Sequence, residues 1–169
     1  MVQEKLMEWT NLYKVLNEYA IEFRNTLQDS YIEDDRIASG ELLNSIDYII
    51  EKDNIQISVS VKIADYYKYL ETGTKPHWPP VNAILDYIKV KPILPRPDSN
   101  GKLPTPEQLA FLIGRKISEQ GTEGTNNFHK TADSVNAKYI PLIEDAISKD
   151  VDAMATVIFT EFFRNPNGN

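Results

Sequence analysis

The sequence predicts an α+β protein with a long N-terminal helix, a small antiparallel sheet and additional helices, including a long C-terminal helix. Three observations carry the assignment. Apolar residues recur at +3 and +4 spacing near both ends of the chain, which marks helices with one apolar stripe. Only one stretch, Ile55–Ile63, alternates strictly between apolar and polar residues as a half-buried strand does. Eight of the ten prolines lie between Pro76 and Pro106, where neither a continuous helix nor a central strand can form.

Taken in order, residues 4–30 place Leu6, Trp9, Tyr13, Leu16, Ala20, Phe23 and Leu27 on one helical stripe. At 1.5 Å per residue this helix is about 40 Å long. Its acidic residues Glu4, Glu8, Glu18 and Glu22 read as a solvated face. Residues 39–46 predict a short helical turn begun by Ser39. Tyr48–Lys52 is the expected hairpin partner of the alternating strand, with Asp53-Asn54 as the turn. Lys89–Leu94 is a weaker strand candidate. A helix over Ala64–Leu70 is expected to end at Gly73 in the left-handed position.

Pro79-Pro80 opens a helix carrying Val81, Ile84, Leu85 and Ile88 on one face, and Ile93–Leu103 reads as loop. Thr105-Pro106-Glu107-Gln108 is a capping signal for a helix running to about Glu119 and stopping at Gly121. Residues 121–138 are polar and weakly patterned. Ile143, Ile147, Val151, Met154, Ile158 and Phe162 then define the last helix, with Pro141 in its first turn. The organisation expected is one domain over residues 1–164, with a proline-rich loop region at 76–106 and a disordered tail at 165–169.

Composition narrows the chemistry. The 169 residues contain 18 basic and 25 acidic side chains, a net charge of 18 − 25 = −7. Zero cysteines exclude disulfides, thiolate metal sites and a cysteine nucleophile. Two histidines, His77 and His129, leave little for a histidine-rich metal site. The acidic balance argues against wrapping nucleic acid. No apolar run is long enough to span a membrane, and Met1–Trp9 lacks a signal-peptide layout, so a soluble protein made in a cytoplasm is expected.

Several constellations resemble functional motifs. Glu71 and His77 could form an acid–base pair, but no nucleophile elbow or third orienting group accompanies them, and His77 reads better as a loop or interface hydrogen-bonder. Asp98-Ser99-Asn100-Gly101 has the wrong spacing for a calcium loop and reads as a tight turn. Gly121–Thr125 lacks the ending of a phosphate-binding loop and reads as a helix exit. Glu71-Thr72-Gly73-Thr74 and Glu119-Gln120-Gly121-Thr122 share Glu-x-Gly-Thr, read as two similar helix C-terminal caps.

Charge is also segregated. Residues 75–102 hold five bases (Lys75, Lys89, Lys91, Arg96, Lys102) and two acids (Asp86, Asp98), a local +3, while residues 1–35 hold eight acids and three bases, a local −5. Two solvated surfaces would account for this. Head-to-tail complementarity, in which the basic loop of one copy meets the acidic helix of the next, would as well.

Ser39-Gly40-Glu41-Leu42-Leu43-Asn44-Ser45-Ile46, the alternating strand, and Tyr69-Leu70-Glu71-Thr72-Gly73-Thr74-Lys75-Pro76-His77 together resemble the tail-completion, head–tail connector (neck) family of tailed bacteriophages. Pro79-Pro80-Val81 and Ala110–Ile117 before Gly121-Thr122 continue the pattern. The resemblance covers roughly residues 36–125. The chain departs from it in the proline-rich loop Lys89–Pro104 and in the length of the C-terminal helix.

The resemblance implies a long helix packed on the small sheet. It also implies a non-catalytic structural virion protein, made in the bacterial host cytoplasm, whose copies form a homo-oligomeric ring at the head–tail interface. Expected partners are other neck, portal-side or tail proteins, with at most passive contact with DNA in a lumen and none with membrane. No cofactor, metal or catalytic residue is implied. Candidate interface residues are Tyr69, Glu71, Gly73, Thr74, Lys75, His77 and Trp78 of the turn, with Lys89, Lys91 and Arg96 of the basic loop. A tail terminator, a minor tail protein, or a small acid–base enzyme using Glu71 and His77 are the alternatives.

Overall fold

The computed structural model describes residues 9–35, 38–52, 56–91, 93–97 and 99–164. The chain divides into two compact units: residues 1–27, 47–62 and 129–169 form one, and residues 28–46 and 63–128 the other.

In the first unit, helix α1 (Thr10–Glu33) contributes its residues up to Leu27. The expected start of this helix before Trp9 lies outside the described residues, and its end is three residues beyond the expected one. Ala20, Phe23 and Leu27 are buried as the stripe predicts, but Tyr13 is exposed. Strands β1 (Asp47–Lys52) and β2 (Ile57–Lys62) form an antiparallel hairpin, in register from Asp47↔Lys62 to Lys52↔Ile57. The Asp53-Asn54 turn lies outside the described residues. The helix packs on this sheet: the Tyr48 hydroxyl donates to Asn17 Oδ1 (3.4 Å), and the Arg24 guanidinium lies 5.6 Å from the Tyr48 ring centre.

Helix α6 (Asn127–Arg164) supplies its residues from His129 onward to the same unit. It runs antiparallel to α1, because Asp150 reaches Asn11 and Leu12 while Lys138 and Tyr139 reach Glu22. Tyr19 packs edge-on to Tyr139, ring centres 5.6 Å apart, and donates to Asn136 Oδ1 (3.0 Å). Glu22 is therefore not simply a solvated residue. Lys138 Nζ lies 2.6 Å from its Oε1, and this bond, reinforced by the Tyr139 hydroxyl, holds the Glu22 carboxyl below its usual titration range despite some desolvation.

The start of α6 corrects the sequence reading. Residues 127–138 are helical, and Pro141 sits inside the helix rather than in its first turn. The buried positions of these turns are Asn127, Thr131, Val135 and Tyr139, spaced by four, and the first two are polar. A helix face that buries polar groups against hydrogen-bond partners gives no apolar period to read. The later stripe is also displaced. Ala146 and Asp150 are the buried positions there, whereas Ile147, Val151, Ile158 and Phe162 are 37–64% exposed.

In the second unit, α2 (Glu41–Ser45) begins after Gly40, whose φ of 78° places it in the left-handed region. Ser39 is thus not the cap residue itself, although its Oγ accepts weakly from Glu41 N–H (3.4 Å). Leu42 and Ile46 are buried, and the Ser45 hydroxyl both donates to Leu42 O (2.7 Å) and accepts from Ala64 N–H (3.0 Å). Each distinctive position of the 39–46 segment therefore has a local structural job.

Helix α3 (Tyr67–Thr72) leads into the two-residue strand β3 (Gly73–Thr74). Helices α4 (Val81–Val90) and α5 (Pro106–Gln120) pack together where Ile84 meets Gly114, and Ala110 of α5 is buried. The Thr105 capping box is present in full, with both reciprocal bonds made. Lys89–Leu94 is not a strand. Lys89 and Val90 complete α4, Lys91 N–H donates to Tyr87 O (2.8 Å), and Lys91 itself turns extended, as a residue preceding proline prefers. The described residues beyond it are irregular as far as Thr105, with a turn at Ser99–Asn100 and Gly101 at φ 75°. The 165–169 tail lies outside the described residues.

Candidate functional site: the paired Gly-Thr turns

The two Glu-x-Gly-Thr segments meet. Strand β4 (Thr122–Glu123) follows α5 and pairs antiparallel with β3, with Gly73 opposite Glu123 and Thr74 opposite Thr122. Thr74 N–H donates to Thr122 Oγ1 (3.0 Å), and the two threonine hydroxyls are 2.9 Å apart. Both glycines end a helix, as the sequence reading holds. Gly73 is at φ 72°, ψ −171° and Gly121 at φ 71°, ψ −156°. That region is not the left-handed helical one expected at Gly73, and residues with a Cβ scarcely enter it.

The approach of the two strands is as demanding as their conformation. A Cβ on Gly73 would collide with Thr122 O, and one on Gly121 with Thr74 O. Gly124 lies against Glu71 O in the same way. Thr125 and Asn126 N–H groups then donate to Leu70 O (2.9 Å) and Glu71 O (3.2 Å). The exits of α3 and α5 are thereby stitched backbone to backbone.

Glu71 is 3% exposed, and its Oε2 accepts from Phe128 N–H (3.0 Å) in the first turn of α6. A carboxylate there satisfies a helix donor that has no intrahelical acceptor and complements the positive end of the helix dipole. His77 is exposed, and its Nδ1 lies 2.8 Å from Lys75 O. Since a carbonyl only accepts, Nδ1 carries the proton in that contact. The structure gives Glu71 and His77 separate partners, one inside the unit and one on the turn.

Tyr69 (56% exposed) and Trp78 (50%) present aromatic surface beside the turn, Tyr69 with Lys68 Nζ near its ring and Trp78 tilted against Phe111 at 5.6 Å. Tyr69, Gly73, Thr74, Lys75 and His77 share an open concavity of about 800 Å³. The basic-loop candidates are not gathered there. Lys89 pairs with Asp86 on its own helix at 2.9 Å. Lys91 pairs with Asp35 at 2.8 Å and also donates to its backbone oxygen. Part of the complementarity between the basic loop and the acidic N-terminal segment is thus satisfied within one chain. Arg96 lines a different cleft, of about 740 Å³, with Lys102, Leu103, Phe111 and Leu112.

The sequence reading missed Thr122, Gly124 and Asn127 as parts of this site. The repeated Glu-x-Gly-Thr was the available signal, since two segments that must approach to backbone contact need glycine at matching places. Among the described residues no group of three or more acidic or histidine side chains could hold a metal ion, and no helix is long and apolar enough to cross a membrane. Compared with family models, curated proteins and solved structures, the chain finds no match in any of the three.

Proposed function

We propose that this chain is a non-catalytic structural subunit of a tailed-bacteriophage virion, forming a homo-oligomeric ring at the head–tail interface as a neck or tail-completion protein. The observation that carries the reading is the construction of the Glu71–His77 turn. Its titratable groups are used structurally: Glu71 holds the start of α6 and His77 Nδ1 holds Lys75 O. Its aromatic neighbours Tyr69 and Trp78 face outward. A turn fixed by backbone contact and flanked by exposed aromatics suits a preorganised contact surface, because little entropy remains to be lost on assembly.

The resemblance of the Ser39–Ile46 and Tyr69–His77 segments to the connector family supports the same reading. The proposed partners are further copies of the chain and neighbouring neck, portal-side or tail proteins. A net charge of −7 suits a lumen that DNA traverses without sticking. Light-scattering mass and electron microscopy of the purified protein, alone and added to phage heads and tails lacking it, test the proposal. Rings, or stoichiometric capture on either particle, are expected. A monomer that binds neither heads nor tails overturns it.

A further inference from the structure

The C-terminal half of α6 leaves a row of apolar side chains exposed. Ile147, Val151, Ile158 and Phe162 lie on one helical stripe, each 37–64% exposed, and Phe159 and Phe163 flank it at 62% and 75%. This face differs from the one turned inward, which carries Ala146 and Asp150, each 2% exposed. At roughly 200 Å² for a whole aromatic side chain, the three phenylalanines expose about 400 Å², and the smaller aliphatic side chains add about 200 Å². The total, about 600 Å², stands at the top of the range for the largest apolar patch of a typical monomer, about 300–600 Å², a patch that is often functional.

A second apolar surface has the opposite charge at its edge. The cleft of about 740 Å³ is floored by Leu103, Phe111 and Leu112, the latter two each 53% exposed, and its rim carries Arg96, Lys102 and Glu107. Apart from the inward-turned Asp150, residues 144–164 hold four acids (Glu144, Asp145, Asp152, Glu161) against two bases (Lys149, Arg164), a net 2 − 4 = −2. The end of a helix adds partial negative charge.

We infer that the exposed stripe of α6 on one copy docks into the Arg96/Lys102-rimmed cleft of the next copy, a head-to-tail contact that rests on the ring reading above. Two different surfaces meeting in this way make a heterologous interface, the kind that closes into rings. Pairing α6 with α6 would instead bring Glu144, Asp152 and Glu161 against another copy of the same acidic face. Arg96 and Lys102 are the cations at the rim of the cleft that meet the neighbour in this contact.

The absence of native cysteine makes the test clean. Phe162→Cys and Leu112→Cys are placed on separate, differently tagged chains; both positions are exposed, so neither substitution opens the core. With a short bismaleimide, a covalent pair is expected only when both chains are mixed. Arg96→Glu with Lys102→Glu should lower its yield about tenfold at low salt, and Glu144→Lys with Glu161→Lys on the other chain should restore it. Cross-linking of Phe162→Cys chains to one another overturns the contact in favour of α6–α6 pairing. Rings seen by electron microscopy without the mixed cross-link overturn the contact and leave the ring reading standing. Absence of both rings and particle binding removes both.

Discussion

Gly73 and Gly121 are each faced by the residue that follows the other: the backbone oxygen of Thr122 fills the place of a Cβ on Gly73, and that of Thr74 the place of a Cβ on Gly121. The reciprocity separates these glycines from others with positive φ. Gly40 and Gly101 have φ of 78° and 75° but open space where a Cβ would stand. Gly40→Ala should therefore cost only the conformational strain, about 1 kcal/mol. Gly73→Ala and Gly121→Ala add a backbone collision and should each cost about 3 kcal/mol or more. Urea unfolding of the variants decides the matter; equal losses at Gly40 and Gly121 would show that strand approach contributes nothing.

Asp150 is the buried anchor of the first unit. Its carboxylate accepts from Asn11 N–H (3.0 Å), Asn11 Nδ2 (2.7 Å) and Leu12 N–H (2.8 Å), satisfying donors of the first turn of α1. Desolvation pushes its titration up, but the bonds from Leu12 and Asn11, with Lys52 nearby, outweigh this and hold it below the ordinary aspartate value. A depressed carboxyl contributes stability above its unfolded-state pKa, about 3.9, that is lost as pH falls through the folded value. Asp150→Ala should cost about 2–3 kcal/mol at neutral pH. Asp150→Asn should cost less and flatten the acid limb of the stability curve. An unchanged acid limb in Asp150→Asn would refute the assignment.

Glu71 and His77 offer a direct contrast. If Glu71 serves to hold the start of α6, Glu71→Ala should lower stability by about 2 kcal/mol, while His77→Ala, on an exposed turn, should change it by no more than about 0.5 kcal/mol. Thermal unfolding of the two variants checks this. A reversed order would mean that the turn depends on the imidazole contact with Lys75 O.

Tyr31 is fully buried, and its hydroxyl makes no hydrogen bond among the described residues. Burial, with Glu71 and Tyr67 adding to it, raises its pKa from 10.0 to about 12. Because the folded value is the higher one, its contribution is complete below pH 10.0 and is lost as pH rises toward about 12. Tyr31→Phe removes an unpartnered polar group and should leave stability unchanged or raise it by up to about 1 kcal/mol near neutral pH. It should also shift alkaline unfolding upward. A loss of stability in Tyr31→Phe would point to a bridging water on the hydroxyl.

What could be read in advance follows from how local each signal is. Thr105 and Gln108 are three positions apart and specify the start of α5 by themselves. The hairpin was legible because Val59 and Val61 alternate with serines across a short connection. The beginning of α6 was hidden because Asn127 and Thr131, both polar, occupy inward positions, where burial is tolerable only with hydrogen-bond partners. Asn127 Nδ2, for one, donates to Ser30 O across 97 positions (3.3 Å). Strands β3 and β4 were illegible as strands because two residues carry no period. Their pairing spans 48 positions, and only the repeated glycine left a trace of it. The stripe of α6 was legible as apolar, but its exposure was not, since spacing defines a face and not what covers it.

The Thr74–Thr122 junction turns everything between its two threonines into an interchangeable cassette. The excursion leaves and returns at one backbone-sealed point, so α4, α5 and the irregular stretch joining them can change length without relocating the ends. Lengthening the connection between α4 and α5 adds only loop entropy, about 0.6 kcal/mol per doubling. Size variation is therefore cheap in the very part of the chain that holds the Arg96 cleft, whereas even a single methyl group at the seal is not.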